Sequence, residues 1–468
     1  MLTHSAYEDS HASFLSFWLR VREFAVPPSM ITTAAARRRV GDWAGACAAA
    51  RVDIDLDLRS VARAHGRELA DRVRRDLRRL APDLLRWHLP RIAPDGLLRP
   101  GLTIALAGYD RPDAAAHTGP VHLVARTPPA WADGGQRISL ALWDGSPDGP
   151  LGEGPAGRHP RPRPSRRFRL DLHRHLWDAR RADELRARSG ADRPPRGDPG
   201  LPVPEGYRCA VDRWAAEAGH LLRAEGGSGG AVTVRLGTRH RLTLDLTPGA
   251  EPAPAAWRIA AVSSDGGSGS RSPVLPDAAT WVLPDLELLR AGAIDPDRLH
   301  PLVAAALVPD HAPNPASAPS EDGTTSGPRV VECRGARHRI ALVDGVLAPL
   351  DHAPDELRRE ELLVALGGPP LPCLREIDEA HRRPDCLVGV RERLQHGDTA
   401  GALAVVEGLL GPEATLRRGP LRDALEEAAG RRIAYGLFRS GLSGPSPHRT
   451  PAATPRPRDH RIRPRHAR

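Results

Sequence analysis

The sequence predicts an α+β protein: several small modules of mixed helix and antiparallel sheet, joined by Pro/Gly-rich linkers and followed by a disordered C-terminal tail. Three observations predict this class. The chain has 468 residues, which is more than a single hydrophobic core usually supports. It contains 45 glycines and 48 prolines, and a content this high indicates substantial linker. The apolar pattern also repeats a succession of helix, hairpin and linker.

The first predicted domain, residues 1–98, is mainly helical. Its residues 11–26 place apolar side chains on one helix face at i, i+3, i+4 and i+7 spacing. Two interpretations explain this face: it packs on the protein's own core, or it anchors a partner protein, since exposed aromatic residues dominate binding energy. The interaction candidates are therefore Phe14, Phe17, Trp18 and Phe24.

Strict alternation over residues 52–58 predicts a strand. It places Asp53, Asp55 and Asp57 along one face. Two of these carboxylates could hold Mg²⁺, although no phosphate-binding loop accompanies them. A solvent-exposed edge strand, charged to prevent aggregation, explains the same pattern, and we favour this interpretation. A long amphipathic helix follows, with its inward face formed by Leu69, Val73, Leu77, Leu80 and Leu84.

The remaining chain divides into four further segments. Residues 99–190 form a mixed domain with antiparallel strands at 102–109, 121–126 and 136–144 and a basic Pro-rich insertion. Residues 205–308 form a helix–hairpin–helix α+β module, and residues 329–441 a hairpin with a helical C-terminal part. Residues 442–468 form the disordered basic tail.

Two short sequences occur twice. Residues 41–46 resemble residues 397–402, and in both Gly suits a helix stop and Asp a following N-cap. Residues 237–244 resemble residues 335–342, and each predicts a hairpin with Gly at the turn. A divergent duplication and chance in an arginine-rich chain both explain the second pair.

Every one of the 67 cationic side chains is arginine, because the sequence contains no lysine. Phosphate-binding loops, protein kinases, pyridoxal-phosphate enzymes and Schiff-base enzymes all need a lysine, so these classes are excluded. The chain also has a single asparagine, Asn314. Both features are typical of a GC-rich coding sequence, so arginine richness alone is weak support for nucleic-acid binding.

The positive charge is concentrated in two proline-containing segments. Residues 443–468 carry a net +6 and residues 158–167 a net +5, which leaves about −2 for the rest of a chain with formal charge +9. We expect both segments to be flexible. A DNA-reading domain normally has its own basic surface, so nucleic-acid binding is expected only through the tail.

Composition also indicates a cytoplasmic location without a membrane partner. Five scattered cysteines are too few and too irregular for a disulfide framework. The apolar stretches are too short to span a bilayer. The first segment carries Glu8 and Asp9, and Arg20 and Arg22 interrupt its apolar part, which does not suit a secretory signal.

The best metal candidates are Asp171, His173 and His175. If this segment is extended, all three lie on one face, as zinc binding from a strand requires. A solvated face or the start of a helix explains the same residues. A second candidate set is Cys373, His381 and Cys386, although their spacing fits no zinc-finger pattern and cysteines beside helices are usually small core residues.

These observations favour a non-catalytic protein-interaction or adaptor protein over an enzyme, because the catalytic motifs are missing. No catalytic residue and no cofactor is assigned. One alternative is a metal-dependent hydrolase that uses Asp171, His173 and His175. Another is a nucleic-acid-associated regulator that acts through the basic tail, by an interaction that salt weakens strongly.

Overall fold

The computed structural model describes residues 2–110, 119–145, 159–193, 201–204, 206–237, 240–247, 256–263, 272–311, 329–343, 346–366, 368–369, 371–382, 389–410 and 418–442. The predicted α+β class is confirmed, because helices and separate small sheets share these residues. The predicted disordered tail lies, from Ser443 onward, outside the described residues.

The N-terminal part is helical and contains one strand of the main sheet. Its elements are α1 (Leu2–Arg20), α2 (Pro28–Arg39), α3 (Trp43–Ala49), β1 (Val52–Ile54), α4 (Leu58–His65), α5 (Arg67–Arg79), α6 (Pro82–His88), β2 (Arg91–Ile92) and β3 (Leu97–Leu98). A five-residue π-helical turn, Val21–Ala25, continues α1.

The long amphipathic helix predicted after β1 is three helices instead of one. Gly66, with a φ of 87°, ends α4, and Pro82 stands in the first turn of α6. The inward face was nevertheless predicted correctly, since all five of its residues are buried: Leu69, Val73, Leu77, Leu80 and Leu84.

The main sheet has the order β1-β6-β5-β4, with β4 (Thr103–Tyr109), β5 (Val121–Arg126) and β6 (Ile138–Trp143). β1 runs parallel to β6, and the other pairs are antiparallel. Because β1 pairs with β6, the hydrophobic core continues across residue 98. This core extends along the sequence from Val21 to Leu307.

The basic Pro-rich run is ordered from His159 onward, contrary to the expected flexibility. His159 Nε2 lies 2.9 Å from the carbonyl oxygen of Thr127, and the Thr103 hydroxyl donates to the Arg161 carbonyl at 2.6 Å. The amide of Ser165 donates to the Thr103 carbonyl at 2.8 Å. The segment therefore lies against Thr103 at the start of β4 and Thr127 just after β5, and these residues supply hydrogen-bond partners that a free loop would lack. A short α7 (Leu185–Ser189) follows.

The next elements are α8 (Val211–Ala224), β7 (Gly230–Leu236), β8 (His240–Thr247), β9 (Ala256–Ser263), α9 (Asp277–Thr280), α10 (Pro284–Arg290) and α11 (Pro301–Leu307). The helix predicted over 285–308 is divided into α10 and α11. Gly292, with a φ of 63°, and Pro296 separate them. Both helices join the main core, through Leu288 and Val303.

The C-terminal elements are β10 (Arg329–Cys333), β11 (Ala336–Val343), β12 (Val346–Pro349), α12 (Pro354–Ala365), α13 (Pro372–Arg382), α14 (Val390–Gln395), α15 (Thr399–Leu410) and α16 (Pro420–Arg439). Both predicted hairpins are present, and each belongs to a three-stranded antiparallel sheet. None of the described helices combines the length and apolar character that crossing a bilayer requires.

The helical hairpin sequence that occurs twice has the same local structure both times. Gly41 and Gly397 each adopt a φ of 80°. Asp42 then accepts a hydrogen bond from the Gly45 amide at 2.8 Å. Asp398 accepts one from the Gly401 amide at 3.2 Å. The predicted helix stop and N-cap are therefore confirmed in α2–α3 and in α14–α15.

Candidate functional site: an aromatic pocket

A pocket of about 460 Å³ lies where α1, the end of α6 and the residues before α10 meet. Residues 167–170, next to the ordered Pro-rich run, form a further part of its wall. Pockets of this size, lined by apolar side chains and a few polar groups, are typical of sites for small molecules. The pocket is therefore the candidate functional site.

Aromatic side chains form one continuous wall of this pocket. The chain has 9 Trp, 4 Tyr and 5 Phe, and a third of them line this one cavity. Neighbouring rings in the wall contact each other edge to face, with centroids 5.0–6.2 Å apart. In order along the wall they are Trp87, Trp18, Phe14, Tyr207 and Trp281, and Phe168 lies on another side.

Buried polar contacts fix the position of Trp87. Its Nε1 donates to Asp285 Oδ2 at 2.6 Å, and Arg22 Nη2 pairs with Asp285 Oδ1 at 2.6 Å. The Arg22 guanidinium also stacks on the Trp87 ring, 4.0 Å from its centroid. The π-helical turn that carries Arg22 and the helix α10 that carries Asp285 are thereby joined beside the pocket.

Three buried polar atoms of the pocket wall have no hydrogen-bond partner among the residues that the structure describes: Trp18 Nε1, His88 Nε2 and Arg91 Nε. An indole N–H and a guanidinium N–H can only donate. Buried donors are rarely left unpaired, because each unsatisfied group costs free energy. The Trp18 and Arg91 nitrogens can therefore donate to acceptor oxygens at this wall, and His88 Nε2 can donate or accept according to its tautomer.

The charge of the wall is positive. It contains Arg91, Arg99, Arg167, Arg169 and a single carboxylate, that of Asp277. Arg167 pairs with Asp277 at 2.6 Å, and Arg169 pairs with Asp171 outside the pocket. The Arg99 guanidinium has no hydrogen bond or ion pair with any residue in the described part of the chain. Arg99 nevertheless acts electrostatically on Asp277, the carboxylate that Arg167 already pairs with, so the wall carries more cations than carboxylates.

Burial lowers the pKa of two wall residues. Burial, with the neighbouring Arg22, lowers the pKa of Arg91 to about 9, so the guanidinium stays charged at neutral pH. The same two causes lower the pKa of His88 to about 3, so this imidazole is neutral. The site therefore combines a positive charge with a neutral imidazole.

Comparison with protein families, with curated protein sequences and with solved structures found no match for this chain. The chemistry of the pocket must therefore be argued from its own residues.

The four aromatic interaction candidates pack on the protein itself. Phe14 and Phe24 are buried, and Phe17 and Trp18 are half-buried against the main core. This packing favours the interpretation that the helix face packs on the protein's own core rather than on a partner protein. Phe14 and Trp18 lie one helical turn apart on α1 and therefore both reach the pocket.

The hydrolase candidates do not lie on an extended segment. Their chain passes through a turn into a 3-10 helix, Arg174–Leu176. Asp171 forms a bidentate pair with Arg169, and His173 Nε2 lies 3.2 Å from Glu217. Burial, with the neighbouring His173, lowers the pKa of His175 well below its usual value. The condition of a shared strand face is not met, and metal binding by Asp171, His173 and His175 stays a prediction.

The aspartates of β1 have partners, contrary to the solvent-exposed edge that we favoured. Tyr435 on α16 donates to Asp53 at 2.6 Å, and Arg137 pairs with Asp53 at 2.6 Å. Arg439 pairs with Asp53 and Asp55. The physical reason is that α16 packs beside this edge and supplies Tyr435 and Arg439, while Arg137 comes from the residue before β6. Asp57 has a separate role, because it caps α4 by accepting from the Ser60 amide at 2.9 Å.

Two groups of metal-ligating side chains occur among the described residues. Asp295, Asp297 and His311 form one, near the surface. Cys333, His352 and Cys373 form the other. Of the predicted set, only Cys373 belongs to it, since the side chain of His381 and all of Cys386 lie outside the described part. Sequence reasoning missed Cys333 and His352 because 40 residues separate Cys333 from Cys373.

Proposed function

We propose that this protein binds a small organic anion that has a flat, apolar body. The observation that carries the proposal is the set of unpaired buried donors, Trp18 Nε1 and Arg91 Nε, on an aromatic wall. The proposal differs from the adaptor function expected from the sequence, because arginines converge on an ordered pocket beside a buried imidazole.

Each part of the wall selects a part of the ligand. Aromatic faces stabilise a planar apolar group by stacking or by edge contacts, worth about 0.5–1.5 kcal/mol per ring pair. Donors without partners, together with the unpaired Arg99, select carboxylate or phosphate oxygens. The neutral His88 adds one hydrogen bond without adding charge. An aromatic carboxylate or an aromatic phosphate ester satisfies all three requirements.

The test is a binding screen on the full chain, read by the fluorescence of the pocket tryptophans and by thermal stability. The probes are aromatic carboxylates, aromatic phosphates, and neutral amides and amines of the same ring systems. We expect only the anions to bind. The series with the higher affinity, carboxylates or phosphates, identifies the acidic group of the ligand. Neutral analogues that bind as tightly as the anions would refute the proposal.

A matched pair of arginine variants makes this test specific. Charge-assisted hydrogen bonds contribute about 1.5–3 kcal/mol, so Arg99→Gln should weaken binding about 10–100-fold. The control is Arg39→Gln at the exposed end of α2, which should leave affinity unchanged. Equal affinities for Arg99→Gln and Arg39→Gln would show that the anion binds elsewhere.

A second proposal retains the protein-interaction function but places it on α12. Leu362 is 65% exposed and Leu366, just after the helix, is 87% exposed, beside the exposed Leu363 and Val364. Apolar side chains grouped in this way are typical of contact surfaces. A symmetric dimer through this face is the simplest assembly. Sedimentation equilibrium tests it: a mass that stays monomeric up to high concentration would exclude the dimer.

A further inference from the structure

The sheet β10–β11–β12 and helices α12 and α13 enclose a compact group of three soft metal ligands. Cys333 ends β10, His352 precedes α12 and Cys373 begins α13. Cys373 Sγ lies 3.5 Å from Cys333 Sγ and 3.3 Å from His352 Nε2. All three ligand atoms lie within 4.8 Å of one another. Both cysteines are fully buried, and His352 is 9% exposed.

These distances fit one tetrahedral zinc ion. Zn–S bonds of about 2.3 Å and a Zn–N bond of about 2.05 Å imply S···S and S···N separations of about 3.8 and 3.6 Å. The observed separations are each within about 0.3 Å of those values. A disulfide would need its sulfurs at about 2.05 Å, so the two thiols are not bonded to each other.

A carboxylate contacts His352 in the way that is usual for a metal-binding histidine. His352 Nδ1 lies 3.2 Å from Glu356 Oε2, one turn into α12. A carboxylate on one ring nitrogen fixes the tautomer that leaves the other nitrogen free to bind metal. In His352 the free nitrogen is Nε2, which faces Cys373. This carboxylate–histidine contact is independent of the sulfur–sulfur distance.

A second imidazole lies beside the group. The His338 ring stacks on His352, with centroids 4.2 Å apart and an interplanar angle of 10°. His338 Nδ1 is buried and has no hydrogen-bond partner among the described residues. An additional nitrogen donor is therefore available next to a three-ligand set.

The local core is small. Among the described residues it has five buried members, and two of them are the cysteines: Cys333, Ile340, Leu371, Cys373 and Ile377. Small modules of this kind usually depend on a disulfide or a structural metal. We propose that Cys333, His352 and Cys373 bind a structural zinc ion that holds β10, α12 and α13 together.

Metal analysis of the full chain is the first test. We expect about one zinc per chain after purification without chelator, and loss of this zinc in Cys333→Ser and Cys373→Ser. The matched control is Cys209→Ser, because Cys209 lies in a different part of the fold. This variant should contain as much zinc as the wild-type chain. Zinc retained in the double variant Cys333→Ser/Cys373→Ser, or its absence from the wild-type chain even after addition of zinc, would overturn the proposal.

A cobalt titration keeps the test valid if the variants fold poorly. Cobalt(II) added to the wild-type chain after removal of zinc should give the charge-transfer absorption of a metal thiolate. Stoichiometric zinc should then abolish this absorption. Chelation should also increase proteolysis within residues 329–382, while cleavage of the main core stays unchanged. Cobalt binding without a thiolate band, or an intramolecular Cys333–Cys373 disulfide in the native protein, would refute the site.

Discussion

Asp285 joins two distant parts of the chain beside the pocket, so its replacement should have a large and specific effect. The carboxylate is fully buried and accepts from Arg22 and from Trp87, both at 2.6 Å. In Asp285→Asn the amide oxygen can still accept from Trp87. Arg22, only 3% exposed, then has no counter-ion. Breaking a buried ion pair by removing one partner costs about 3–5 kcal/mol.

The double variant Arg22→Met/Asp285→Asn identifies the cause of this loss. It removes both charges, so the free energy of unfolding should recover most of what Asp285→Asn loses. Burial already lowers the pKa of Arg22, which shows how poorly the site solvates its cation. The control is Asp245→Asn, whose partner Arg258 is 79% exposed, and there the loss should be below about 1 kcal/mol.

The assay is urea unfolding followed by tryptophan fluorescence and circular dichroism. With an m-value of about 3 kcal/mol/M, the midpoint of Asp285→Asn should fall by about 1–1.7 M. Ligand affinity should fall as well, because Trp87 forms part of the pocket wall. If the effects of Arg22→Met and Asp285→Asn simply add, or if Asp285→Asn behaves like Asp245→Asn, the buried pair does not stabilise this junction.

Two further predictions follow from single contacts. Burial alone would raise the pKa of Glu217, but His173 and Arg188 hold this pKa below its usual value of 4.5. The free energy that the Glu217 carboxylate contributes to stability is therefore fully present above pH 4.5 and is lost as the pH falls. Glu217→Gln should therefore flatten the acid side of the stability–pH profile, and an unchanged profile would contradict this. At Gly397 a Cβ would overlap the Gly135 carbonyl oxygen, whereas Gly41 has the same φ and open space. Gly397→Ala should therefore destabilise more than Gly41→Ala, by calorimetry, and equal losses would refute the contact.

Local periodicity was sufficient to predict most strands and many helices. The strands predicted at residues 102–109 and 121–126 correspond to β4 and β5, which are buried on both faces. Helix ends were harder to predict. The helical pattern continues through Gly66 and Gly292, so only the positive φ of each glycine in the folded chain shows that the helix ends there.

The pocket could not be predicted, because no short segment contains it. Its wall combines residues from Phe14 to Pro284, and only tertiary packing brings them together. The Pro-rich run was interpreted as flexible from composition alone. Its order comes from hydrogen bonds between the run and Thr103 and Thr127, which no local pattern encodes. The one usable signal was the scarcity of aromatic residues, which makes their grouping in one place informative.

In a chain without lysine, the presence of an arginine is weak evidence about function. An arginine that lines a pocket and has no carboxylate within ion-pair distance is more informative. Most arginines in the folded part have structural partners: Arg174 pairs with Asp76 and Asp178, and Arg188 pairs with Glu217. Such pairs cancel charge and hold elements together. Arg99 lacks a partner of this kind and lines a cavity whose wall also contains unpaired donors. Arg99 is half-buried, so solvent meets part of the cost of its charge, and we propose that an anionic ligand supplies the rest of the counter-charge in this pocket.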